Sequence, residues 1–163
     1  MVYIRNLEQN DFDSVKYIYQ QGIDEGNATF ETHAKAWDEW NDSMLQMCRL
    51  VAVENDRVVG WAALSPVSSR CVYAGVAEVS VYVADEAHGK GVGQALLSKL
   101  VEESEKEGFW TLQAGIFPEN ESSIALHQKN GFRLLGVREK LGKMGEKWRD
   151  VVFLERRSKV VGV

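Results

Sequence analysis

The stretch from Gly75 to Phe117 constrains this chain most. It writes a β-rich run, "GVAEVSVYVA", then the glycine-dense "DEAHGKGVG", then an amphipathic helix, then a second β-rich run, "WTLQAGIF". Val92, Leu96, Leu97, Leu100 and Val101 fall on one helical stripe that ends before Gly108. Two strands with a helix between them cannot form a hairpin. The helix supplies the crossover that parallel strands need, so these two strands are predicted to be parallel neighbours.

Around this unit the pattern is simpler. "VYIRNLE" alternates as a short strand, and "NDFDSVKYIYQQG" reads as a helix with a cap at Asn10 or Asp11 and a stop at Gly22. A second helix is predicted over 32–47, with Trp37, Trp40, Met44 and Met47 as its core stripe. "RLVAVE" and "RVVGWAAL" form a hairpin turning at Asn55 and Asp56. "NESSIALHQKNG" is a short helix capped by Asn120 and closed by Gly131, and "FRLLGVREKL" and "KWRDVVFLER" are strands separated by Gly142 and Gly145. The expected architecture is α/β: a mixed central sheet of about seven strands, flanked on both faces by about four helices. No linker or repeat divides the 163 residues, so residues 1–163 are read as one domain.

A net charge of −5 argues against nucleic acid as a partner, because phosphate neutralisation needs clustered cations. No window is long and apolar enough for a membrane span, and the first ten residues carry charge where a signal peptide needs an apolar core. The expected location is the cytoplasm. Cys48 and Cys71 form no CxxC pair and are read as reduced thiols. His33, His88 and His127 lack ligand spacing, so no metal site is expected.

"HGKGVG" admits three readings. It is a plain turn, or a dinucleotide loop, or a phosphate cradle made of bare amides at a helix N-terminus. The dinucleotide reading fits poorly, since the spacing is GxGxG and "WTLQAGIF" has no acidic residue to hold a ribose. A triphosphate loop fails because no GK[ST] follows.

The strand "EVSVYV", this loop, the helix, the next strand and "NESSIALHQKNGF" together resemble the GNAT superfamily of N-acetyltransferases, most closely its phosphinothricin and methionine sulfone acetyltransferase group. "NATFET", "RCVYAGVAEVSVYV" and "KWRDVV" extend the resemblance over nearly the whole chain. His88 stands where that family usually has Arg or Gln. The resemblance implies the acyl-CoA N-acyltransferase fold, acetyl-CoA as cosubstrate without a metal, a small-molecule amine as acceptor, and a homodimer. It implies a detoxifying transfer to the α-amine of a small amino acid or a glutamate or methionine analogue. Acetyl-CoA would be held by the main chain of Val81, Tyr82 and Val83, by Gly89, Lys90, Gly91, Val92, Gly93 and Gln94, and by Asn120. Peptide N-termini or polyamines are alternative acceptors, and a non-catalytic acyl-CoA-binding module is the alternative outside enzymes.

Acetyl transfer needs a neutral amine, a stabilised oxyanion and help for the departing thiolate. Glu78 sits in an apolar strand, where a carboxylate is solvent-facing, paired or functional; by resemblance it is the general base. The simplest oxyanion donor is the Val81 amide. His127 either assists the thiolate or packs within its helix. Phe30, Glu31, Arg70 and Tyr73 are the expected acceptor contacts, with Arg70 pairing a substrate carboxylate.

Overall fold

The chain, described over residues 1–163 by a computed structural model, runs β1 (Val2–Asn6), α1 (Phe12–Glu25), α2 (Trp37–Ser43), β2 (Leu50–Glu54), β3 (Arg57–Pro66), β4 (Val76–Val83), α3 (Val92–Lys106), β5 (Thr111–Ile116), α4 (Glu121–Lys129), β6 (Arg133–Met144) and β7 (Lys147–Arg157). The seven strands form one sheet in the order β1-β2-β3-β4-β5-β7-β6. Only β4 and β5 are parallel, and they are the pair joined through α3. The other neighbours are antiparallel. The architecture is therefore the expected mixed α/β sheet with four helices.

Alternation along β3 assigns the helices to faces. Trp61 meets Tyr19 of α1 at 5.7 Å and Trp40 of α2 at 5.6 Å, both edge-on. Its neighbour Gly60 faces α3, where a Cβ would approach Leu96 at 2.9 Å and Val92 at 3.1 Å. Helices α1 and α2 thus cover one face and α3 the other. The α3 stripe is buried as its spacing demands, and Leu96, Leu97 and Leu100 are sealed from solvent.

Several boundaries differ from the sequence reading. α1 continues past Gly22 to Glu25 and closes at Gly26, whose φ of +92° suits the left-handed cap. Gly22 serves packing instead: a Cβ there would lie 2.7 Å from the Tyr82 ring. Asp11 does precede α1, but its carboxylate accepts the Glu8 amide at 2.8 Å and the Arg5 guanidinium at 2.7 and 2.9 Å. Those bonds hold its carboxyl below the usual carboxylate range.

Helix α2 spans only Trp37–Ser43, so Met44 and Met47 lie beyond it and Met47 is exposed. Buried Arg49 ends it, donating to the carbonyls of Asn41 at 3.0 Å, Met44 at 3.1 Å and Leu45 at 2.7 Å. A cation at a helix C-terminus complements the free carbonyls there. β6 runs on through Gly142, leaving Gly145 for the turn. Asn55 and Asp56 turn the β2–β3 hairpin with φ of +51° and +61°. Both cysteines are free; burial pushes the Cys48 thiol up to about 12, while Cys71 is exposed. No helix is long and apolar enough to cross a membrane.

Candidate active site

The parallel pairing of β4 with β5 covers only Val76↔Thr111, Ala77↔Leu112 and Glu78↔Gln113. Beyond Glu78 the strands part. β4 stays paired with β3 along its other edge, and the Ala84 amide donates to Val59 O at 2.8 Å. Strand amides alternate in direction, so those of Val79, Val81 and Val83 point into the gap. The gap opens into a cleft of about 950 Å³ lined by both parted strands, the glycine loop, one side of α4 and the loop after α1.

One end of the cleft is suited to anions. Gly89 and Gly91 have φ of +77° and +79°, which L side chains rarely adopt, and no neighbour approaches within 4 Å of a Cβ at either. Conformation, not crowding, requires these two glycines. The first helical bond of α3 runs from Ala95 to Gly91 O, so the amides of Val92, Gly93 and Gln94 have no partner within the helix. Gly93 serves close packing instead, since a Cβ there would sit 3.1 Å from Leu126 of α4. Gln94 and Asn130 join side chains reciprocally at 2.9 and 3.2 Å, tying α3 to the end of α4. His88 Nε2 lies 2.9 Å from Val83 O and so occupies a backbone group of the open β4 edge.

Glu78 stands where the wedge begins. Its strand face is that of Tyr82, which packs on Tyr19 of α1 at 4.9 Å and on Trp61 at 5.0 Å. Gln113, opposite on β5, donates to Glu78 Oε1 at 3.1 Å. Burial raises the pKa of both Tyr19 and Tyr82, so their hydroxyls stay protonated beside the cleft.

His127 of α4 lines the same cleft and is buried edge-on against Phe132 at 5.1 Å. Its Nδ1 is 2.7 Å from Ser123 O. A carbonyl only accepts, so Nδ1 carries the hydrogen and Nε2 the lone pair. Burial lowers the pKa against the opposing effect of that bond, which keeps the ring neutral at pH 7. Asn120 caps α4 by accepting the Ser123 amide at 3.3 Å, while its Nδ2 donates to Asn27 O at 3.3 Å.

The cleft gathers Glu78, Val81, Tyr82, Val83, Gly89, Gly91, Val92, Gly93, Gln94, Asn120, His127, Phe30 and Glu31. It does not gather Lys90, Arg70 or Tyr73. Lys90 reaches Glu54 at 3.7 Å. Arg70 lies over the Tyr73 ring at 5.6 Å, and Tyr73 borders a separate depression of about 510 Å³ shared with Gln113. The cleft wall carries the carboxylates of Glu25, Glu31, Glu78 and Asp85, the two histidines and the hydroxyls of Tyr19 and Tyr82, with no Lys or Arg. No cluster of His, Cys, Asp and Glu has the arrangement of a metal site.

Sequence reasoning misses two contributors. Gln113 is found only through the β4–β5 register. Arg149 carries a readable signal, since "KWRDVV" places it two residues before Val151 on one strand face, but pattern alone assigns it no role. Its guanidinium lies over Phe117 at 4.0 Å, behind the loop that carries Phe30.

The sequence pattern of the acetyltransferase (GNAT) family matches residues 5–132. A phosphinothricin N-acetyltransferase of Streptomyces coelicolor is 30% identical over 164 residues, covering 95% of each chain. An L-methionine sulfoximine/L-methionine sulfone acetyltransferase of Pseudomonas aeruginosa is 28% identical, over 93% of this chain and 92% of the other. The crystal structure of a phosphinothricin acetyltransferase from Sinorhizobium meliloti in complex with acetyl-CoA superposes with a TM-score of 0.89 at 32% identity, over 99% of this chain and 90% of that one.

Proposed function

The chain belongs to the GNAT family of acetyltransferases, and from that membership we propose that it transfers the acetyl group of acetyl-CoA to the α-amine of a small amino acid or a glutamate or methionine analogue. The relatives named for phosphinothricin and for methionine sulfoximine and sulfone support the acceptor class. The observation that carries the chemistry is the position of Glu78, a carboxylate at the apex of the parted strands, in one cleft with the free amides of α3.

The residues present fit the cosubstrate. The amides of Val92, Gly93 and Gln94, reached through the open backbone of Gly89 and Gly91, would hold a pyrophosphate. The outward amide of Val83 would pair with an amide-bearing arm as an added strand does, which leaves that of Val81 for the acyl oxygen. When bound, acetyl-CoA supplies the activated acyl group. Glu78, oriented by Gln113, takes a proton from the ammonium so that the amine can attack. The Val81 amide is the proposed donor to the oxygen that gains charge, fixed in advance by the β3–β4 ladder. Neutral His127 offers Nε2 as an acceptor, and so takes up a proton before it can give one to a leaving thiolate.

One observation favours a second reading. A wall with four carboxylates and no Lys or Arg suits an acceptor without its own carboxylate, such as a polyamine or a peptide N-terminus. Detoxification and a cytoplasmic location complete the proposal. The test mixes purified protein, acetyl-CoA and a panel of amines, followed by thioester loss because exposed Cys71 consumes thiol reagents. Glu78→Gln is expected to lower kcat by about 10²-fold or more. Turnover equal to that of the variant sinks the catalytic role, and a preference for carboxylate-free amines selects the second reading.

A further inference from the structure

Arg149 takes no part in the contacts proposed above, yet its charge is only 6% exposed. It lies on β7, on the sheet face shared by Val151, Phe153 and, across β5, Gln113 and Glu78. Nη1 donates to Gly26 O at 3.0 Å and contacts the Met144 sulfur at 3.1 Å. Nη2 donates to Asn27 Oδ1 at 2.8 Å and to Glu119 Oε1 at 3.4 Å. The planar group covers the Phe117 ring at 4.0 Å.

These partners lie where the chain leaves an element. Gly26 and Asn27 follow α1, Glu119 precedes α4, and Met144 ends β6. Three residues beyond Asn27, Phe30 stands edge-on to Phe117 at 4.9 Å. It lies so close to Gly142 that a Cβ there would meet its ring at 2.9 Å. A buried guanidinium is costly unless its donors are met. Here they are met chiefly by one short segment. A lysine could not reach both groups, since its ammonium is a single point and the arginine fork acts in two directions.

We propose that Arg149 is a positioning residue for the amine acceptor: its fork fixes Gly26 and Asn27, and through them sets where Phe30 and Glu31 stand on the cleft wall. This rests on reading the cleft as an acetyltransferase site. None of the groups that Arg149 holds lies on β4 or α3, whose amides are assigned to the cosubstrate, and Asn120 meets Asn27 only through its main-chain oxygen, so a change confined to the Asn27 side chain acts chiefly on the amine.

Asn27→Ala removes the shortest of these bonds while keeping the main-chain oxygen that Asn120 uses. It is expected to raise the amine KM about 10-fold, the cost of one hydrogen bond to a charged group, with the KM for acetyl-CoA within about 2-fold. Arg149→Lys should do the same or more. Asn27→Asp, which returns an acceptor to the fork, should recover most of the loss. Hydrogen exchange of amides 27–31 should quicken in the Ala variant and not in the Asp variant. Equal rises in both KM values, an unmoved amine KM, or failure of Asn27→Asp to recover it would each overturn the proposal. If the wild type acetylates none of the amines, the functional reading falls, and the exchange rates of Asn27→Ala against wild type decide the clamp alone: unchanged rates overturn it.

Discussion

His127 couples the cleft to pH through one proton. Burial lowers its folded pKa below the 6.5 of a free imidazole. Between those two values the unfolded chain binds more protons than the folded one, so stability rises with pH. The contribution is complete above about 6.5 and fades as pH falls through the folded pKa. Melting temperatures of wild type and His127→Gln, taken from about pH 5 to 8, should differ by a constant above 6.5, with wild type losing ground below it. A difference that is flat across the range, or that grows on acidification, shows that burial does not hold the ring neutral. Residue-scale roles were unevenly legible. Glu78 was visible because a carboxylate interrupts an apolar strand, and the glycines because their spacing is dense. Gln113 was invisible because it acts only through its β5 register against Glu78. Arg149 reads in the sequence only as one of several C-terminal cations on a strand, because its burial depends on four partners drawn from three separate parts of the chain.

Elements were read correctly in kind and order, and the errors fell at their ends. Local pattern places α1 and α2, but tertiary partners decide where they stop. Arg49, six residues beyond Ser43, binds the carbonyls that would have carried α2 onward. Gly22 reads as a stop because glycine is a poor helix former, yet the helix passes through it because Tyr82 needs the space. Two magnitudes compete at Gly22→Ala. Helix propensity favours alanine by about 1 kcal/mol, and overpacking costs about 1–3 kcal/mol. The Tyr82 ring is stacked on Trp61 with an interplanar angle of 12° and cannot swing aside freely. Packing should win: Gly22→Ala is expected to lower stability by up to about 2 kcal/mol in urea unfolding. An unchanged or raised midpoint would mean that the aromatic column yields more easily than its geometry implies.

At the scale of the whole molecule, the sheet ends on one side in β6, a 12-residue edge strand paired only with β7. Leu135 and Val137 on it, and Trp148 beside it on β7, are 48%, 51% and 55% exposed, enough to need a cover. An exposed edge of this length invites unlimited strand pairing. Register shifts at 134–136 and 138–142, with Lys140 at φ +46°, break its regularity. That disfavours a continuous ladder and favours a closed contact made through side chains. The proposed cover is a second copy of the chain. Leu141, on the same strand, lines the cleft, so the partner would border the acceptor end and could bring the cation that the cleft wall lacks. Light scattering should give twice the 18.4 kDa chain mass, and Val137→Glu with Trp148→Glu should halve it. If the partner completes the acceptor end, the monomeric variant should also show an amine KM raised by about 10-fold or more with little change for acetyl-CoA, the size expected for loss of one charged contact. A wild type that is monomeric at micromolar concentration removes the dimer, and a monomeric variant with wild-type kinetics leaves the dimer but denies it any part in the site.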